Sequence, residues 1–173
     1  MAVLVASFTG CDPPKTSKKS GPVAPPAPPS IPPPVVPKVI GPGSIELTIG
    51  EPVKTNGCYA TLITLSNAQP QVLQINSYLD MAQEVFPSVY FRAEVAAATP
   101  AAVVGQKIMA RLYVQRRREG PVWYSPPGQP VELAITTAEG GGTIEGEVVA
   151  GRLIETETGR AVDVRGKFCG SLR

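Results

Sequence analysis

Twelve of the chain's twenty prolines fall between Asp12 and Gly43, and that run limits what this part of the chain can fold into. It includes Pro25-Pro26, Pro28-Pro29 and Pro32-Pro33-Pro34. Proline has no backbone N–H to donate and its φ is fixed, so the run is excluded from helix and central strand. Extended polyproline II is what remains, and at about 3.1 Å per residue it spans roughly 100 Å. Composition changes sharply after it. From Ser44 to Arg173 come every aromatic residue except Phe8 and most of the β-branched ones. The 173 residues therefore divide into an apolar leader at 1–10, a tether at 11–43 and one domain at 44–173, large enough for a single core.

Charge and the missing imidazole exclude several functions. Sixteen Lys and Arg stand against fourteen Asp and Glu. Lys15, Lys18, Lys19 and Lys38 against Asp12 make the tether basic, which leaves the domain close to neutral. Nucleic-acid binding calls for a clustered basic excess, so no nucleic-acid partner is expected. The chain contains no histidine. Ser–His–Asp and Cys–His hydrolysis, His-ligated zinc and His general-base chemistry are excluded with it.

Residues 1–10 read MAVLVASFTG, an apolar run too short to span a bilayer and suited to the end of an export signal. Phe8-Thr9-Gly10-Cys11 resembles a bacterial lipobox, in which a small residue precedes a cysteine that is lipidated and becomes the mature N-terminus. Phe8 replaces the usual Leu, and no basic residue precedes the run. A start codon set too far downstream would account for the short leader. The resemblance implies a bacterial lipoprotein, anchored to a membrane through Cys11 and facing the periplasm or the exterior. The other reading is an ordinary apolar N-terminus with a cysteine thiol. The tether is then a stalk that holds the domain off the membrane, in preference to a docking track for proline-recognising modules. Its lysines add about 1 kcal/mol each at most toward anionic headgroups.

Past Ser44 the pattern has period two. Ile45, Leu47 and Ile49 alternate with polar residues, as in a strand with one face buried. Further strands are expected over Cys58–Ser66, Val72–Ile75, Val89–Val95 (Arg92 and Glu94 outward), Lys107–Gln115, Val131–Thr137, Thr143–Glu155 and Ala161–Cys169. Asn56-Gly57, Gly120-Pro121, Pro126-Pro127-Gly128, Gly140-Gly141-Gly142 and Thr158-Gly159 read as turns. The last two would join the final three strands into a meander. A short helix or an irregular loop fits Ser77–Phe86, closed by Pro87. About eight short strands point to an all-β domain, a β-sandwich or a partly closed β-barrel. In an exported chain Cys58 and Cys169 would pair as a disulfide, closing a loop of about 110 residues worth up to roughly 4.7 kcal/mol by chain entropy. Buried reduced thiols are the cytosolic alternative.

Three groups of residues are candidates for function. Arg116, Arg117 and Arg118 form the densest positive charge, and Trp123 and Tyr124 follow closely. Together they suit a contact surface for phosphate, carboxylate or sugar faces, although a solvated turn beside a core Trp is the simpler and preferred reading. Gly140–Gly142 with Gly146 leads into an alternating strand and not a helix, so it lacks the context of a phosphate loop. Glu145, Glu147, Glu155, Glu157 and Asp163 gather carboxylates near the last hairpin, but no calcium-loop signature accompanies them, and alternating Glu usually marks the wet face of a sheet. Asp80 and Glu84 share one helix face by spacing. No catalytic residue, metal or cofactor is assigned. The expected function is a non-catalytic envelope protein that presents its β-domain to a protein or glycan partner, or has a structural role. The alternatives are a carboxylate-based glycan hydrolase and a cytosolic β-domain with a proline-rich interaction arm.

Overall fold

The computed structural model describes residues 43–64, 70–79 and 85–173. The chain divides into two units, Met1–Pro37 and Lys38–Arg173, and every described residue belongs to the second. The lipobox, Cys11 and the tether up to residue 42 lie outside the described residues, as do Asp80 and Glu84.

Among the described residues the domain is all-β, built from eleven strands. They are β1 (Ser44–Ile49), β2 (Glu51–Lys54), β3 (Tyr59–Ile63), β4 (Gln71–Asn76), β5 (Ser88–Val95), β6 (Lys107–Gln115), β7 (Val122–Tyr124), β8 (Val131–Ala138), β9 (Thr143–Ala150), β10 (Arg152–Glu155) and β11 (Ala161–Leu172). A 3-10 turn, Pro100–Val103, precedes β6. Among the described residues there is no α-helix, and the helix considered over Ser77–Phe86 falls largely on residues 80–84, outside them.

Seven strands close into a barrel in the order β3-β4-β5-β6-β8-β9-β11 and back to β3. Each antiparallel pairing reverses strand direction, so a closed ring holds an even number of them. A ring of seven therefore needs a parallel pairing. Here that pairing is β11 with β3, through Ser171↔Tyr59 and Leu172↔Ala60. Between a sandwich and a partly closed barrel, the chain adopts a barrel, and closure removes the exposed edges an open sheet would leave.

Two strands fork. The first half of β6, Lys107–Ala110, pairs with β8, and Tyr113–Gln115 pairs with β7. β11 pairs with β10 at Ala161–Asp163, with β1 from Val164 to Cys169, with β9 from Gly166 to Ser171, and finally with β3. Its inward residues alternate in size: Val164, Gly166, Phe168, Gly170 and Leu172. A small barrel cannot accommodate a large side chain at each of these positions. A Cβ on Gly170 would lie 2.1 Å from the Cys58 carbonyl oxygen, and one on Gly166 would lie 2.1 Å from that of Glu46. Phe168 meets Phe91 with ring centroids 6.0 Å apart, inside a core that includes Ile45, Leu73, Leu112, Ile135 and Leu153.

Three expectations are corrected in detail. Thr143–Glu155 is two strands, interrupted at Gly151, where the register against β11 slips by one residue and an added Cβ would strike the Val131 side chain. The strands β2 and β7 are short and carry weak patterns, one of them containing Pro52. The Cys58–Cys169 disulfide is not formed. The backbones do meet, since the Ser171 N–H donates to the Cys58 carbonyl at 3.1 Å. Strand alternation, however, sends the side chains to opposite faces: Cys58 is fully buried, whereas Cys169 stands outward between inward Phe168 and Gly170. The Cys169 thiol donates to Glu145 Oε1 at 3.5 Å.

Candidate functional site

The residues singled out in the sequence do not form one surface. Arg116 is committed to the fold. Its guanidinium donates to the Ile49 carbonyl at 2.8 Å and to the Glu51 carboxylate, tying the β6–β7 turn to the β1–β2 turn. Trp123 is 7% exposed and belongs to the core. Arg117 lines a 470 Å³ depression at this end of the barrel with Glu51, Trp123, Glu155 and Arg160, and Arg118 is exposed. Tyr124 points the opposite way from Trp123, onto the outer face of the sheet.

The carboxylates of the last hairpin are also dispersed. Glu145 and Glu147 share the exposed face of β9 with Lys167 and Cys169 of β11. Glu155 accepts a hydrogen bond from Thr158 at the β10–β11 turn, and Asp163 pairs with Arg152 at 3.4 Å. Glu46 binds Lys54 at 2.7 Å and Lys167 at 3.3 Å, and hydrogen bonds from these two lysines hold its carboxyl below the usual range. Gly140–Gly142 forms the hairpin turn between β8 and β9, closed by Gly142 N–H to Glu139 O at 2.9 Å, with Gly141 at φ 70°.

A further surface lies on the outer face of β5 and β6. The register places Tyr59 opposite Asn76, Asn76 opposite Tyr90, Tyr90 opposite Tyr113 and Tyr113 opposite Tyr124. Four of the chain's five tyrosines thus stand in one row across five strands. Tyr90 and Tyr113 lie 28° from parallel with centroids 6.2 Å apart. Tyr78 is close by, and burial, followed by the influence of Tyr90, pushes its phenol above the ordinary value. The next row along the strands is Thr61, Gln74, Arg92 and Arg111. Arg92 and Arg111 are direct register partners, both exposed, and neither makes an ion pair among the described residues.

A proline-rich turn borders this face. Because β7 and β8 flank different halves of β6, the connection between them bulges out beside Arg111 and Leu112. Ser125 pins its start: its N–H donates to Leu112 O at 2.9 Å, and its hydroxyl accepts from Leu112 N–H at 3.0 Å. Pro126-Pro127-Gly128-Gln129 then makes a turn closed by Gln129 N–H to Pro126 O at 3.0 Å. Gly128 supplies φ 76° at the third position, where a type II turn requires a positive value. Pro126, Gly128 and Pro130 wall a groove of about 820 Å³ whose floor is Tyr90, Arg92, Glu94, Met109, Arg111 and Tyr113. Period two already turned Arg92 and Glu94 outward in the sequence; the pairing register that assembles the rows was the missing information.

None of the family models, curated proteins or solved structures compared with the chain matches it. The function is therefore argued from the site.

Proposed function

We propose that this protein is a non-catalytic lipoprotein of the bacterial cell envelope, anchored through Cys11, whose proline-rich tether presents the barrel as a binding module. The observation that carries the binding role is the groove on β5 and β6, where two opposed arginines and a tyrosine row lie beside a proline-rich rim. Like charges directly opposite on neighbouring strands are destabilising, and a bound anion would offset that cost. The absence of histidine and the dispersal of Glu145, Glu155 and Asp163 over separate exposed regions support a role without catalysis. The anchor rests on the lipobox-like tetrad and the tether that follows it.

The test is the intact mass and the fractionation of the protein from its native cells. The expected product begins at Cys11, carries an acyl adduct and sediments with membranes, whereas Cys11→Ser appears in the soluble fraction. An unprocessed Met1 terminus with the wild-type chain soluble refutes the anchor.

A further inference from the structure

We infer that the β5–β6 groove binds an acidic saccharide, with Arg92 and Arg111 taking the carboxylate and the Tyr90–Tyr113–Tyr124 row taking the sugar faces. This deepens the binding role proposed above and rests on it.

Charge is the first argument. Arg92 and Arg111 stand opposite one another on adjacent strands, at a Cβ separation of about 5 Å. Five other cations on the barrel surface have carboxylate partners, whereas Arg117, Arg160 and Arg165 are exposed without an ion pair among the described residues but do not stand opposite a second arginine in the strand register. Lys54 and Lys167 meet Glu46, Lys107 meets Glu132 at 2.7 Å, Arg116 meets Glu51, and Arg152 meets Asp163. Glu94 lines the same groove and is not within ion-pair distance of either arginine. Two adjacent planar guanidiniums that are not ion-paired form a fork for an oxyanion, which each can meet in bidentate fashion. Occupancy by an anion would also relieve their mutual repulsion.

The shape of the face selects among anions. Three tyrosines on neighbouring strands span two interstrand spacings, about 10 Å, in a row beside the arginines. Tyr113 is 39% exposed although it lies in the middle of a sheet. Aromatic rings offer an apolar face with a hydroxyl at the edge, which matches the C–H faces and hydroxyls of a pyranose. Gln74 continues the arginine row, adding an amide group next to the platform. A free phosphate would make no use of the tyrosines. An acidic peptide would use the charge but has no flat apolar face to set on the row. The rim built by Pro126, Gly128 and Pro130 is held by its turn hydrogen bond, so little conformational entropy is lost on binding.

The experiment is calorimetric titration of the purified full-length chain with three probes: an oligogalacturonate, an uncharged gluco-oligosaccharide of the same length, and a poly-glutamate peptide. The expected result is saturable binding of the oligogalacturonate, weakened at least tenfold by Arg92→Gln with Arg111→Gln and at least tenfold by Tyr113→Ala. Tyr113→Phe keeps the ring and should bind within about threefold of wild type; it keeps the test valid if Tyr113→Ala loses its fold. Poly-glutamate binding as tight as the saccharide and indifferent to Tyr113→Ala overturns the inference in favour of a peptide partner. Preference for the uncharged oligosaccharide, or no binding of the oligogalacturonate, overturns it as well. The anchor is read separately, by mass and fractionation. A chain that is lipidated but binds no oligogalacturonate therefore refutes the ligand alone.

Discussion

Cys58 shows how one position in a barrel acquires unusual chemistry. Burial pushes its thiol from 9.0 up to about 12, and neighbouring Cys169 adds to the effect. In the unfolded chain this thiol ionises at its ordinary value, so the neutral form is favoured by folding. The stability it contributes is complete below pH 9.0 and is lost as pH rises towards about 12. Denaturant midpoints measured through that window should fall with pH in a Cys11→Ser chain, and fall less steeply once Cys58→Ala is added. Thiol labelling separates the two cysteines as well. Cys169, which is exposed, should alkylate promptly in the folded Cys11→Ser chain, whereas Cys58 should react only at the rate of global opening. Equal labelling rates would contradict the buried placement of Cys58.

Among the elements, the paired turns at the Arg116 end of the barrel make the most pointed prediction. Arg116 reaches from the β6–β7 connection to the β1–β2 turn, donating to the Ile49 carbonyl and to Glu51. The Glu51 side chain is 77% exposed, so that ion pair is screened and contributes little. The bond to the backbone carbonyl, made by a half-buried guanidinium, is worth more. Chemical denaturation should show Arg116→Ala costing about 1.5 kcal/mol and Glu51→Ala less than about 0.5 kcal/mol. Equal losses would assign the clamp to the ion pair instead. The elements also show what can be read from sequence. Strong alternation located β5 and β6 almost to the residue, and the glycine turns located the final meander, because period and φ are local properties. The strands β2 and β7 were missed because a strand of three or four residues carries too few positions to display a period. For the same reason Arg116, Arg117, Arg118, Trp123 and Tyr124 read as one cluster along the chain, although alternation sends Trp123 into the core and Tyr124 to the outer face. The tyrosine row depends on register between strands up to 65 residues apart, from Tyr59 to Tyr124, and no local signal encodes that.

On the scale of the whole molecule, β11 holds the barrel together, pairing with β1, β3, β9 and β10. Its glycines allow backbones to approach where any Cβ would collide. Gly170→Ala should therefore force the β3–β11 seam apart and lower stability by about 3 kcal/mol, read from thermal or denaturant unfolding. The half-buried neighbour Ser171→Ala, which removes a hydroxyl that has no hydrogen-bond partner, is the control and should change stability far less. A neutral Gly170→Ala would mean that the seam can widen without cost.

The parallel seam has a further consequence for how the protein is made. Its two sides, Tyr59-Ala60 and Ser171-Leu172, lie at opposite ends of the domain's sequence. Every earlier strand can be synthesised, and local hairpins such as β5–β6 can form, without the ring being able to shut. A nascent chain therefore cannot close the ring until residues 161–172 arrive. Folding of this domain is timed by the emergence of its last strand, and the interval before that is when it depends most on whatever shields it from its neighbours.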